Sequence, residues 1–451
     1  MAGKKTQAQL TPEEKLQQAL VPTAEQPYKV PDNWCYFFFT ALIDIEGGTQ
    51  PPKSQFVDEP LENYVRLVQI RDFASNKYAV YVPDSKKLRH FENNDILIAR
   101  YGASLGRICT GMSGVYNVAL AKIIFSENIL NRKYVYWMLQ SDVFQIPLLS
   151  ISRTAQAGFN KDDLSTFSMP LPPLVEQQRI VERIESLFAK LDEAKENLQN
   201  VLDGFETRKA AILHKAFTGE LTANWRKQHG VSMESWVITT LKDVCLKITD
   251  GTHNSPVNTP IGEYMYITAK NIKETGVDLS NITFVSKDVH NEIYSRCDVQ
   301  YGDVLYIKDG ATTGIATVNN IEIPFSLLSS VAVLRPNKKI ILAKYMAYNL
   351  NSSEVKSMMI NNMSGNAITR LTLTKIKAAI IKICSLEEQA EIVRIIDDLL
   401  AKELQAKELA ENALAKIDLI KKSILARAFR GKLGTNNPAD EPAVELLKRM
   451  L

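Results

Sequence analysis

The feature that most constrains this chain is an internal repeat at a fixed spacing. Leu174-Val175-Glu176-Gln177-Gln178-Arg179-Ile180-Val181 returns 212 residues later as Leu386-Glu387-Glu388-Gln389-Ala390-Glu391-Ile392-Val393. Ala216-Phe217-Thr218-Gly219-Glu220-Leu221 returns at the same offset as Ala428-Phe429-Arg430-Gly431-Lys432-Leu433. Upstream, Asp95-Ile96-Leu97 with Tyr101-Gly102-Ala103 and Gly106 returns 208 residues later as Asp303-Val304-Leu305 with Asp309-Gly310-Ala311 and Gly314. A duplicated chain builds two similar surfaces related by approximate twofold symmetry. Its natural target is itself bipartite, and duplex DNA is the first candidate.

Composition narrows this only by exclusion. The 451 residues suffice for two or three domains with their own cores. A hydrophobic share of 45% and a charged share of 23% are ordinary for a soluble globular protein. The net charge of +3 permits DNA binding without arguing for it, so any footprint has to be local. Cys35, Cys109, Cys245, Cys297 and Cys384 form no CxxC pair, and the five histidines are dispersed. Neither a zinc site nor a disulfide framework is expected, and the thiols read as core or incidental residues in a reducing compartment. No run approaches ~18 apolar residues, and the N-terminus lacks an apolar signal core. A cytoplasmic protein without membrane contact is expected.

Periodicity divides the chain into a polar leader (1–30), a first domain (31–172), a long helix (173–222), a second domain (223–384) and a second long helix with a tail (385–451). The expected fold class is α+β: two mixed α/β domains separated by two long helices that form an antiparallel coiled coil, with pseudo-twofold symmetry. The leader carries a short helical stretch over Pro12–Leu20. Strand-like runs fall at Val65–Ile70, Ala79–Val82, Ile96–Ala99 and Val118–Ala121, followed by a helix over Lys133–Gln140. The second half repeats the order with Tyr266–Thr268, Val304–Ile307, Val331–Leu334 and a helix over Leu342–Leu350.

From Pro173 to Phe217 no further proline occurs and only Gly204 interrupts, which gives 45 residues, or ~65 Å of helix if unbroken. Ile180, Ile184, Leu187, Leu191, Ala194, Leu198, Val201 and Phe205 alternate in steps of four and three, the spacing of a coiled-coil seam. The equivalent positions of the second helix are Ile392, Ile396, Leu399, Glu403, Ala406, Ala410, Ala413 and Ile417. With Ile180 opposite Ile424, Leu191 faces Ala413 and Leu198 faces Ala406, large against small. Either run alone also fits an ordinary core helix; two matched runs favour an intramolecular pair. Gly219 and Gly431 sit where left-handed C-terminal caps are expected.

These residues resemble the specificity subunits of type I restriction–modification systems. The resemblance rests on Val30-Pro31-Asp32-Asn33-Trp34, Gly47-Gly48-Thr49-Gln50-Pro51-Pro52, the Asp95 to Ala103 segment, Pro170-Leu171-Pro172-Pro173-Leu174 with Glu176-Gln177, and Phe217-Thr218-Gly219-Glu220-Leu221. The second half adds Asp250-Gly251-Thr252-His253-Asn254-Ser255-Pro256, Asp309-Gly310-Ala311, Glu388-Gln389, Phe429-Arg430-Gly431-Lys432-Leu433 and Asp440-Glu441-Pro442-Ala443. It covers nearly the whole chain. It implies two target-recognition domains, each reading half of a split sequence in double-stranded DNA. It also implies a helix pair that sets the spacer and docks two methyltransferase subunits, with two restriction subunits in the full enzyme. S-adenosylmethionine would then belong to the methyltransferase, and ATP and Mg to the restriction subunit. The second helix departs from the pattern: Ile383-Cys384-Ser385-Leu386 replaces the double proline, and Glu403 enters the seam.

Nothing in the chain carries the signature of catalysis. It has no GxxxxGK[ST] loop, no HExxH, no paired-cysteine site and no GxGxxG. An adenine-flipping tetrad is also missing, since its only Asn-Pro, Asn437-Pro438, lies in the polar tail. A noncatalytic subunit with no cofactor or metal of its own is expected. Base reading should fall on equivalent loops, where glycine admits the DNA backbone, hydroxyls and cations bind phosphate, and Arg, Asn or Gln read purine edges. The candidates in the first domain are Gly47, Gly48, Thr49, Gln50, Lys53, Arg71, Arg100, Tyr101, Ser104, Arg107 and Arg153. In the second they are Asp250, Gly251, Thr252, His253, Asn254, Lys270, Asn271, Lys308, Asp309, Thr312, Thr313, Asn366 and Arg370. Plain alternatives stand beside them. Gly47-Gly48 and Asp309-Gly310 also read as turns, Arg100, Arg107 and Arg370 as solvated charges, and Tyr101 as a packing residue. A coiled-coil adaptor that binds proteins is the alternative at the level of function, and a nuclease with a hidden site is a third reading.

Overall fold

The computed structural model describes residues 11–151, 158–361 and 371–450. The chain divides into two compact units, Met1–Asn197 with Ala413–Leu451, and Leu198–Asn412. Each unit repeats one frame. In the first, Ile43–Gly47, Leu120–Phe125, Leu97–Ala99 and Ile108–Cys109 form an antiparallel sheet in that spatial order. In the second, Cys245–Asp250, Val331–Pro336, Val304–Ile307 and Ala316–Val318 reproduce the order. The central strand Val304–Ile307 is buried along its whole length, which is why its sequence is an unbroken apolar run rather than an alternating one.

A second sheet in each unit contains one parallel pair. Leu67 and Val68 lie beside Val115 and Tyr116, and Tyr266 and Ile267 lie beside Ser326 and Leu327. A two-stranded ribbon completes the frame, Cys35–Phe38 on Ser168–Leu171 in one unit and Val237–Thr240 on Ile380–Ile383 in the other. Helices Arg132–Gln140 and Ala343–Asn351 pack on these sheets; Asn131 starts the former by accepting from the Tyr134 amide at 3.1 Å. The strand and helix positions expected from periodicity are found within a few residues.

The first long helix differs from its expectation. It runs Leu174–Asp203, breaks at Gly204, and resumes as Phe205–Phe217. The break has a local cause: Arg208 folds back so that its Nη2 donates to the Val201 carbonyl at 2.8 Å, and a Cβ on residue 204 would collide with that guanidinium. The second helix, Leu386–Ala428, has neither glycine nor proline and runs unbroken for 43 residues.

Within each unit the two long helices run antiparallel. In the first, Lys421 Nζ lies 2.6 Å from Asp192 and 5.1 Å from the Phe188 ring centroid. In the second, Arg208 Nε lies 2.8 Å from Glu403, and Lys407 Nζ 5.1 Å from the Phe205 ring centroid. These pairs slide the helices by roughly one heptad from the register with Ile180 opposite Ile424. Ala406 is accordingly exposed, because Lys407 covers Phe205. Ile180, Ile184, Ile392, Ile396, Ala410 and Ile417 are buried, and Leu187, Leu191, Leu198, Phe205, Leu399 and Ala413 are half-buried. Glu403 is tolerated in the seam because Arg208 pairs with it.

The repeated Glu-Gln dipeptides anchor each domain to its helix. Gln177 donates to the Ile129 and Pro172 carbonyls and accepts from the Asn131 amide; Gln389 donates to Ile340 and Cys384 and accepts from Leu342. Glu176 accepts from Trp34 Nε1 at 2.7 Å and Asn436 Nδ2 at 2.8 Å. Its counterpart Glu388 accepts from Trp236 Nε1, Thr222 and Arg226 at 3.1, 2.7 and 2.6 Å. The C-terminal tail thereby joins the start of the first domain without a covalent link: Asn33 donates to the Asn437 carbonyl, and the Ala443 amide donates to Asn33. Gly219 and Gly431 adopt the left-handed conformation, φ +83° and +66°.

Candidate nucleic-acid interface

The loops that follow equivalent strands begin at glycines with an internal purpose. A Cβ on Gly48 would lie well inside 3.0 Å of the Asn117 and Tyr116 carbonyl oxygens, and one on Gly251 equally close to the Leu327 oxygen. The adjacent amides bind the same segments, Gly48 to Leu120 at 3.1 Å and Thr252 to Leu327 at 2.8 Å. Glycine is required here by the protein's own backbone. Beyond it, Gln50 and Lys53 are exposed, while Thr49 Oγ1 is buried without a hydrogen-bond partner among the described residues. Gly47 approaches Arg100, since a Cβ there would sit 3.0 Å from its Nη1.

Arg100 itself is committed internally. Its Nε and Nη2 donate to the Phe159 carbonyl at 3.2 and 3.0 Å, and the guanidinium lies 5.2 Å from the Tyr101 ring centroid. Tyr101 is exposed, Ser104 half-buried and Arg107 exposed. Arg71 is exposed and reaches over Tyr78, with Lys77 on the same ring at 5.4 Å. Sequence reasoning missed Lys77 and Tyr78. An exposed aromatic ring with cations beside it is suited to nucleic acid, which stacks bases on aromatic faces and places phosphates near positive charge, and the Asn76-Lys77-Tyr78 run carries that signal.

In the second domain a buried network gathers several candidates. Asp250 is 2% exposed. Its carboxylate lies 2.6 Å from Arg296 Nη2, 3.5 Å from Lys308 Nζ and 3.5 Å from His253 Nε2. Lys308 also reaches Asp309 at 3.2 Å. Arg296, which the sequence reading did not single out, closes this network 2.9 Å from His253. Asn271 is buried as a cap, accepting from the Thr268 amide at 3.1 Å and donating to the Asp278 carbonyl at 3.1 Å. Thr313 donates to the Gly310 carbonyl at 2.7 Å. Asp250, Lys308, Asn271 and Thr313 therefore hold the loops in shape, while His253, Asn254, Lys270 and Thr312 face solvent and Thr252 is half-buried. Arg153, Asn366 and Arg370 lie outside the described residues.

The same loops enclose a cleft of about 450 Å³, lined among others by Ser255, Asn258, Thr268, Lys270 and Asn281. Tyr266 and Ser330 also line it, and both hydroxyl oxygens are buried without a hydrogen-bond partner among the described residues. Burial pushes the Tyr266 phenol up to about 12, so it stays a neutral donor and acceptor. Buried hydroxyls left unpaired next to an open cleft are prepared for a ligand's polar edge. Burial also pushes the thiols up, Cys109 to about 11 and Cys35, Cys245, Cys297 and Cys384 to about 12, which leaves them unreactive. Among the described residues no group of three or more His, Cys, Asp or Glu is placed to hold a metal, and no helix is long and apolar enough to cross a membrane.

This doubled frame with unlike loops is the architecture of a known class of DNA-specificity proteins. The family model of the type I restriction modification DNA specificity domain matches residues 31–203 and again 233–413, and the chain belongs to that family. It is 26% identical over 427 residues to the type I restriction enzyme EcoBI specificity subunit of Escherichia coli, covering 91% of this chain and 88% of that one. It is 23% identical to the EcoKI specificity subunit of Escherichia coli strain K12, with 92% of each chain covered. The crystal structure of the HsdS subunit from Thermoanaerobacter tengcongensis shares the fold, with a TM-score of 0.63 at 18% identity over 91% of this chain and all of that one.

Proposed function

We propose that this chain is the noncatalytic recognition subunit of a type I restriction–modification enzyme, and that each domain reads one half of an asymmetric, split site in duplex DNA. One observation carries the reading: the two units share sheet order and helix anchors, yet their loops offer different chemistry. The first presents Arg71, Lys77 and Tyr78; the second presents the Tyr266–Ser330 cleft with Lys270. A repeated frame suits two identical partners, and unlike loops suit two different DNA words. Lys53, Arg107 and Lys270 are exposed and suited to phosphates, which position the protein while the cleft and neighbouring side chains read bases.

The helix pair fixes the half-site separation at roughly one duplex turn or more, ~34 Å or above. Two methyltransferase subunits dock on these helices, where Leu404, Leu409 and Leu419 are 47, 62 and 64% exposed, an apolar presentation suited to a partner. S-adenosylmethionine chemistry belongs to those subunits, and ATP- and Mg-dependent cleavage to two restriction subunits. The assembly works in the cytoplasm.

The test is a salt titration of DNA binding by the chain together with its methyltransferase partner, joined to genome-wide adenine-methylation mapping with and without the chain. Binding that weakens steeply with salt and a split, asymmetric methylated motif that disappears with the chain are expected. Salt-insensitive association without a motif would favour a protein-binding adaptor.

A further inference from the structure

The two units differ at one strand edge. In the first, Cys35–Phe38 is paired with Ser168–Leu171 on one side and bridged by the leader on the other. The Val21 amide donates to the Tyr36 carbonyl at 3.0 Å, and Leu20 bridges Phe37. Ala19, Val21, Tyr36 and Phe37 are all buried as a result. Farther along, Tyr28 donates to the Phe429 carbonyl at 3.0 Å and meets Tyr36 edge-on, 5.8 Å between ring centroids.

The second unit repeats the ribbon, and among the described residues nothing pairs with its outer edge. Val237, Ile238 and Ile380 are 55, 68 and 51% exposed. By register Ile238 is the counterpart of Tyr36, and by the 212-residue offset Phe217 is the counterpart of Phe429. Beside them lies a largely apolar groove of about 220 Å³ between His214, Phe217, Val355, Met358 and Ile381, into which Asn349 also faces. Asn349 is 2% exposed, and its Oδ1 has no hydrogen-bond partner among the described residues. An open, apolar strand edge next to such a groove is a template for strand addition.

We propose that the methyltransferase subunit lays an extended apolar segment along the Val237–Thr240 edge, as the leader lies along Cys35–Phe38, and seats a large side chain beside Phe217. This rests on the reading of the chain as a methyltransferase-bound specificity subunit. The leader sets the pattern for the occupant: extended apolar residues, Leu20 and Val21, lie against the strand edge, and an aromatic ring follows at Tyr28. The methyltransferase is the partner because His214 and Phe217, which wall the groove, belong to the long helix on which that subunit docks. The two methyltransferase positions are then inequivalent. At one the edge is closed by the chain itself; at the other the partner completes it.

The test uses the full-length chain with its methyltransferase partner, followed by hydrogen exchange and native mass measurement. The amides of Ile238 and Thr240, which face away from the partner strand, should gain at least tenfold protection on assembly. Ile238→Asp and, separately, Val237→Lys should weaken retention of one methyltransferase by about tenfold or more and leave the other in place, while Leu246→Asp, at a side chain equally exposed but off this edge, should not. Unchanged melting curves would show that the variants fold. Full assembly with no gain of protection at the 238 and 240 amides and both variants normal overturns the proposal yet leaves the specificity-subunit reading intact. Protection of this edge in a dimer of the chain alone, abolished by Ile238→Asp, overturns it in favour of a second copy. Failure to assemble with any methyltransferase overturns both, and is recognised by the accompanying loss of salt-dependent DNA binding.

Discussion

Tyr266 and Ser330 make the sharpest residue-level claim, because neither hydroxyl has a partner among the described residues. Removing a hydroxyl that reads DNA should cost discrimination of about 1–3 kcal/mol at a base position. Tyr266→Phe and Ser330→Ala are therefore expected to relax one half of the methylated motif and leave the other half unchanged, with stability shifted by less than about 1 kcal/mol. Methylation mapping of each variant checks this, and an unaltered motif in both would rule the cleft out. His290 offers a pH test of the second domain. Its ring stacks on Tyr264 at 4.1 Å and its Nδ1 lies 3.0 Å from Ser326 Oγ. Burial holds its pKa below 6.5, against a nearby Glu263 that raises it. The unfolded chain takes up a proton that the folded domain resists, so this contribution is complete above about pH 6.5 and lost as pH falls through the lowered folded value. Denaturant midpoints should drop from pH 7 to pH 5, and less so in His290→Phe; identical profiles would contradict the assignment. Residue types were legible in the sequence, but their availability was not. Arg100 and Asp250 look free until Phe159 and Arg296, 59 and 46 positions away, arrive beside them.

The Glu-Gln dipeptides show what the repeated elements are for. Each glutamate is buried at the root of a long helix and each glutamine satisfies backbone groups of the neighbouring domain, so helix and domain are joined by hydrogen bonds rather than by apolar packing alone. Arg226→Met leaves Glu388 charged and buried without its cation, and should destabilise the second unit by about 3–5 kcal/mol in denaturant titrations. A loss under 1 kcal/mol would show that Thr222 and Trp236 suffice. Gly251→Ala drives a Cβ into the Leu327 carbonyl and should likewise lower the melting temperature; Gly276→Ala, where a Cβ meets open space, reports the backbone cost alone at its φ of +141°. At this scale the sequence was informative wherever periodicity was strong, as in Val304–Ile307 and the long helices. The break at Gly204 and the sliding of the helices were not legible. Both depend on Arg208, whose side chain serves the Val201 carbonyl and Glu403 together.

For the whole molecule, the duplication turns out to include the junctions. The Phe217 to Ala223 segment links helix and domain covalently in one unit, and the tail after Ala428 reaches the first domain through Asn33, Asn436 and Asn437 in the other. The shared frame was visible in the sequence because the 212-residue offset recurs, whereas the leader's pairing with Cys35–Phe38 has no counterpart and left no repeat to find. On the proposed reading, bases are chosen by the loops and distance by the helices. Deleting about one helical turn near Gly219, in cells that also carry the methyltransferase, separates the two most directly when methylated sites are mapped genome-wide. Both half-site words should persist while the spacer between them changes; altered words at an unchanged spacing would contradict the division of labour.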